Sequence, residues 1–261
     1  MKRFPYFALV ILIITMLACA VPGASPEPKA TAIPSDPPEP TSTPLPTDTA
    51  TPHPTATPDA AATSAVRATQ GADDALTELD GLLGDTDIPY KDGHLAWQQD
   101  ASINIKLTGP DYQKAEIDEN LTAGNFILKS DVTWEATGIL ICGAVFRSEP
   151  NIEDGKQYQF MYLRLSGLPA WAIEVHEFGS YKNSPTGSKT SGALDLRNGA
   201  TNQFVLVVQD DNFTIYLNGV RQGRYFDYSK QRTDGSFGFL GLQDSGNGLC
   251  EFENSWVWSL D

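Results

Sequence analysis

Three residue types are scarce in this 261-residue chain: cysteine, histidine and methionine each occur three times. Three scattered histidines (His53, His94, His176) and three distant cysteines give no Cys/His spacing for a structural zinc site. Basic residues are short as well, 18 Lys and Arg against 33 Asp and Glu, for a net charge of −15. A chain with no basic stripe is a poor fit to nucleic acid and to anionic lipid headgroups. No glycine-rich phosphate loop and no Ser/His/Asp arrangement is present. After Gly84 no long helical periodicity remains.

What is there falls into four compositions in order. Lys2 and Arg3 precede an apolar stretch, 4–17, broken only by Pro5 near its start and Thr15 near its end. That is the length of a secretory signal core and short for a bilayer span. Residues 1–20 are therefore read as a targeting segment. The run ending Leu17-Ala18-Cys19 resembles a bacterial lipobox, which would place a diacylated Cys19 at the mature N-terminus and leave only a lipid anchor in the membrane. Ordinary cleavage after Ala20 also satisfies the small-x-small rule and would release the protein. Either route exports the chain: lipid-anchored at a cell surface or the outer face of a membrane, or secreted if the lipobox is not used.

Residues 21–58 are about one-third proline, with threonine next. Proline removes backbone donors and fixes φ, so helix and sheet are excluded and a disordered polyproline-like stalk remains. At roughly 3.1 Å per residue it would reach on the order of 100 Å. Residues 59–84 predict a short, loosely held helix: Asp59 is placed to cap it, Ala72, Ala75, Leu76, Leu79, Leu82 and Leu83 form a narrow stripe, and Gly81 with Gly84 would end it. So narrow a stripe must dock on something to be stable.

Residues 85–261 suffice for one domain with a real core, and their pattern is short strands with turns between. Ile103, Ile105 and Leu107 alternate, as do Phe204, Leu206 and Val208 and then Phe213, Ile215 and Leu217. Segment 138–146 is almost wholly apolar, the mark of a central strand. Asn218-Gly219 is a strong hairpin signal. The expectation is all-β: an antiparallel two-sheet sandwich behind a linker and a short helix.

Five pieces in order carry a resemblance. Cys142-Gly143 with Phe146-Arg147, the aromatic strand 158–162, Asn202 to Val208, the hairpin Phe213 to Gly219, and Gly235 to Phe239 followed by Cys250-Glu251-Phe252-Glu253-Asn254 are similar to the strands of bacterial laminin-G-like and concanavalin A-like domains. Glu253 stands where that pattern has Asp. The resemblance implies a jelly-roll sandwich. It leaves function open, because the group includes lectins, carbohydrate-binding modules, adhesins, glucanases and domains assigned to 3-keto-disaccharide hydrolysis.

Candidate sites are few. Cys142 and Cys250, an even pair in an exported domain, are expected to form a disulfide, the alternative being two buried thiols. Glu174 and His176 share one face of a strand while Glu177 takes the other, so the two carboxylates do not form the close pair of a retaining glycosidase. Tyr158, Phe160 and Tyr162 form an aromatic stripe that reads either as core or as a sugar platform, with Trp171 and Tyr181 behind it. Arg147, at the end of its strand, reads as a rim contact or as the partner of an acidic neighbour. The ligand set expected is thus Arg147, Tyr162, Glu174 and His176. No cofactor is expected; loop 243–248 offers oxygen ligands for calcium but equally fits a plain hairpin end. The leading expectation is a surface lipoprotein whose non-catalytic sandwich binds carbohydrate or another surface macromolecule. A glycoside-processing hydrolase of the same fold and a structural scaffold module are the alternatives.

Overall fold

The computed structural model describes residues 60–165 and 168–261, with side chains from residue 66 onward except that of Leu165. The targeting segment, Cys19, the stalk and Asp59 lie outside the described residues. Helix α1 spans Ala60–Leu83. Fourteen strands follow: β1 His94–Gln98, β2 Ile103–Thr108, β3 Asp111–Glu116, β4 Phe126–Ala136, β5 Leu140–Ser148, β6 Gln157–Leu165, β7 Leu168–Glu177, β8 Ser180–Asn183, β9 Lys189–Thr190, β10 Ala200–Gln209, β11 Asn212–Leu217, β12 Val220–Phe226, β13 Ser236–Gln243 and β14 Asn247–Ser259.

The strands form two antiparallel sheets of seven. The first has the order β1-β14-β4-β10-β11-β12, with β2 continuing the edge that β1 begins along β14. The second has the order β3-β13-β5-β6-β7-β8, with β9 also on β7. Their facing sides hold one core, in which Phe126, Val132, Trp134, Phe146, Phe160, Phe204, Phe213 and Phe239 are completely or almost completely buried. The expected all-β jelly-roll sandwich is what forms. A disulfide, Cys142–Cys250, crosses that core from β5 to β14. It closes a separation of 108 residues, for which the chain-entropy model gives about 4.7 kcal/mol.

The helix corrects one expectation. It runs through Gly81 and ends at Gly84, whose N–H bonds to Asp80 O at 3.1 Å. It is also firmly docked. Ala75, Leu79 and Leu83 are at most 1% exposed and pack on Ile127, Val205, Val207, Tyr216, Trp256 and Trp258, the outer face of the first sheet. This is why the first half of β4 is buried on both sides. The link from helix to β1 is pinned by Trp258 Nε1 donating to Tyr90 O at 2.9 Å. Gly93 follows there because a Cβ would collide with the Ser259 carbonyl and the Trp258 indole.

Removing a buried leucine from a docked helix loses both transfer energy and packing. Leu79→Ala is expected to lower the unfolding free energy by about 3 kcal/mol, read from urea melts, and to speed amide exchange along α1 more than in β5 and β6.

Candidate functional site

Alternation on two neighbouring strands fixes what faces outward from the second sheet. Tyr158, Phe160 and Tyr162 of β6 point into the core with Trp171, Ile173 and Val175 of β7. Their intervening neighbours therefore point away from it. In register, Gln157 pairs with His176 and Gln159 with Glu174, so four polar side chains stand in a two-by-two block on the outer face. His176 Nε2 bonds Glu174 Oε2 at 2.9 Å. Gln159 donates to Gln157 Oε1 at 3.2 Å, and Gln157 donates to the carbonyls of Ile152 and Gly155 at 2.8 and 2.9 Å.

This ladder ends unsatisfied. Gln159 is 1% exposed, yet its Oε1 has no partner among the described residues. His176 Nδ1 is also buried and unpartnered among the described residues. Tyr112 arrives from β3 with its phenol against the Gln159 side chain; burial drives its pKa above the ordinary phenol value, and the hydrogen bond with the Gln159 amide pulls the other way. A buried polar atom left unpaired costs about 1–3 kcal/mol, and the Trp134 and Trp171 indoles carry the same cost in the core; on this face it is the partly exposed pair Glu174 and His176 that is open to a ligand.

The surroundings shape that surface. Loop 149–156 lies over one end of the face: Lys114 Nζ donates to the carbonyls of Ile152 and Glu153 at 2.9 and 2.6 Å, and Ile152 sits against Gly238. At the same end the β7–β8 hairpin is tied to this loop by Phe178 N–H donating to Asp154 O at 2.7 Å. Tyr181 of β8, exposed, meets His176 edge-on with ring centroids 6.1 Å apart. The outward residues of the middle strands are apolar: Leu240, Val145, Met161 and Ala172 lie in adjoining rows. Leu240 and Val145 are fully buried and Ala172 nearly so, which leaves Glu174 and His176 partly exposed at the edge with the Tyr181 ring beside them.

The structure keeps two of the four expected contacts together, Glu174 and His176. Tyr162 is in the interior, 1% exposed against Trp134 and Phe204, and burial lifts its pKa well above normal. Arg147 is the clear correction. A β-bulge, with Ser148 opposite Ser236 but Val145 opposite Gly238, puts it at φ 47° and turns it inward. It is 1% exposed, burial lowers its pKa, and its guanidinium donates to Gly124 O (2.9 and 2.7 Å) and Arg232 O (3.3 Å). It ties two loops together rather than lining a rim. In the 243–248 loop, Asp244 Oδ1 accepts from Ile139 N at 2.7 Å and Ser245 Oγ at 3.0 Å, a hairpin staple. No group of three or more His, Cys, Asp or Glu placed to hold a metal occurs among the described residues.

A cavity of about 560 Å³ lies elsewhere, between α1 and the first sheet, lined by Asp74, Glu78, Asp100, Lys129, Asp131 and Glu253. Its lysine is already paired, with Glu78 at 3.3 Å and Asp131 at 3.4 Å, and Asp131 accepts from Gln203 and Asn254, each at 3.1 Å, while Asp74, Asp100 and Glu253 leave the cavity acidic. An exposed aromatic beside a polar pair, rather than volume, points to the second sheet.

Gln159 and Tyr112 were not among the residues the sequence singled out. Gln159 was visible as the polar alternate of an aromatic stripe; Tyr112 is brought in by strand order alone.

No protein-family model matches the chain, and no curated protein does. Among solved structures, a carbohydrate-binding module from Bacillus subtilis aligns with TM-score 0.41 and 17% identity over 59% of this chain and 97% of that one. A sheep galectin aligns with TM-score 0.39 and 11% identity, covering 58% and 98%. A Bacillus licheniformis β-glucanase gives 0.43 and 9%, covering 61% and 79%. Likeness at this level says nothing of the side chains described above.

Among the described residues the Tyr112 hydroxyl has only the Gln159 side chain beside it, at strained or long hydrogen-bond geometry. Tyr112→Phe is expected to change the unfolding free energy from urea melts by no more than about 1 kcal/mol; a larger loss would show a strong hydrogen bond there.

Proposed function

We propose that this chain is an exported, lipid-anchored protein whose sandwich binds a carbohydrate on the outer face of its second sheet without chemically changing it. The observation that carries the reading is the polar pair Glu174 and His176 on the outer face, partly exposed, with His176 Nδ1 unpartnered among the described residues and the exposed Tyr181 ring against the imidazole. A sugar offers hydroxyls that donate and accept together with C–H faces that are apolar, and this surface asks for both. The net charge of −15 fits a neutral partner better than an anionic one. Glu174 is the one carboxylate in the two-by-two block, half of what a two-carboxylate glycosidase needs.

The stalk and Cys19 complete the proposal. A tether raises effective concentration at a surface and adds nothing to chemistry, so it suits a binding module. One feature supports a second reading, glycoside processing: a carboxylate that orients an imidazole is also the arrangement of a general base. Release of monosaccharide from a disaccharide panel by the purified protein would establish that reading.

Binding is tested by affinity electrophoresis in gels containing soluble β-glucan, xylan, fructan or mannan. Retardation by at least one is expected, with Glu174→Ala and His176→Ala each weakening it tenfold or more, about 1.4 kcal/mol. A folded protein retarded by none of them contradicts the proposal. Anchoring is tested separately: labelled palmitate should be incorporated by the expressed chain and lost with Cys19→Ser.

A further inference from the structure

Two hairpins of this protein close with the same kind of turn and different residues. Asn218–Gly219 joins β11 to β12 with φ of 47° and 75°, and Phe178–Gly179 joins β7 to β8 with φ of 51° and 67°. In each the flanking residues pair directly, Leu217 with Val220 and Glu177 with Ser180. Two consecutive positive φ values between paired strands define a type I′ turn.

Asparagine tolerates this backbone because its short side chain bonds locally. Asn218 also ties its turn to distant strands and loops, accepting from Gln203 N and donating to Ala193 O, both at 2.7 Å. Phenylalanine has no such bond to offer, and a bulky residue at positive φ is an outlier. Burial returns nothing either, since Phe178 is 79% exposed. Backbone preference and the hydrophobic effect both oppose this side chain at this position. Residues that break local rules with no structural return are the ones to read for function.

Its position supplies the function. Phe178 follows His176 by two residues, and its N–H is held by Asp154 in the loop that lies over the polar face. Tyr181, 56% exposed, stands against His176 on the same hairpin.

We propose that Phe178 is a specificity-determining ligand contact: its ring stacks on the C–H face of a pyranose whose hydroxyls reach Glu174 and His176. This rests on the carbohydrate reading of that face. The C–H bonds of a sugar face are weakly positive, an aromatic face is negative, and closing them together frees water from both. The hydrogen-bonded turn fixes the backbone that carries the ring, so only side-chain freedom is lost on binding.

The test replaces the residue that the ligand needs with the one the turn prefers. Phe178→Asn in the full chain is expected to raise the thermal midpoint while weakening retardation in the same polysaccharide gels at least tenfold, and Phe178→Tyr is expected to restore retardation. A more stable Phe178→Asn protein that is retarded like wild type overturns this role and leaves the binding face standing. A less stable Phe178→Asn protein shows that the ring serves the fold, and overturns it as well. Failure of wild type itself to be retarded in any gel refutes the carbohydrate reading, and this role with it.

Discussion

A β-sheet has two faces, and a sandwich core uses one face of each sheet. What happens to the other two faces determines everything distinctive about this protein. On the first sheet the outer face carries Ile127, Val205, Val207, Trp256 and Trp258, and α1 covers it. On the second sheet the corresponding positions of β6 and β7 carry Gln157, Gln159, Glu174 and His176. Among the described residues no helix lies over them. The chain closes one face with its own N-terminal helix and part of the other with loop 149–156, and leaves Glu174 and His176 at the edge beside exposed aromatics.

Register is what keeps that face in place. Side chains alternate with a period of two, so a slip of one residue in β6 would put Gln159 in the core and Phe160 in water. The interior aromatics oppose such a slip. Phe146 stacks on Tyr158 with centroids 5.3 Å apart, Phe160 packs on Phe204 at 5.3 Å, and Trp134 meets Tyr162 at 5.3 Å. The disulfide ties β5, next to β6, to β14 on the opposite sheet. A dense aromatic interior thus positions a polar exterior, and the orphaned tips of Tyr162 and Trp171 are buried with it.

Much of this was legible in the amino-acid order. The stripe Ala75, Leu79, Leu83 showed that the helix must dock, and alternation in β10 and β11 with Asn218-Gly219 between gave a hairpin. Glu174 and His176 could be placed on one face by counting. Four things could not be read. β6 is apolar on both faces in part, with Tyr158 and Phe160 alternating against Met161 and Leu163, so pattern alone left its orientation open. Arg147 sits at a bulge, and an extra residue in one strand shifts the side-chain phase in a way that sequence spacing does not reveal. Phe178 occupies a turn that normally takes Asn or Gly, so its hairpin carries only half of the usual signature. Tyr112 joins Gln159 because β3 and β6 belong to one sheet, a fact of topology rather than of local sequence.

The most direct test follows side-chain signals during titration of the isotope-labelled protein with an oligosaccharide of whichever polysaccharide retards it. The His176 ring signals should shift with saturation, while the Trp256 and Trp258 indole signals beneath α1 stay in place. Shifts at the two tryptophans with His176 unmoved would place recognition on the helix-covered sheet and contradict the account.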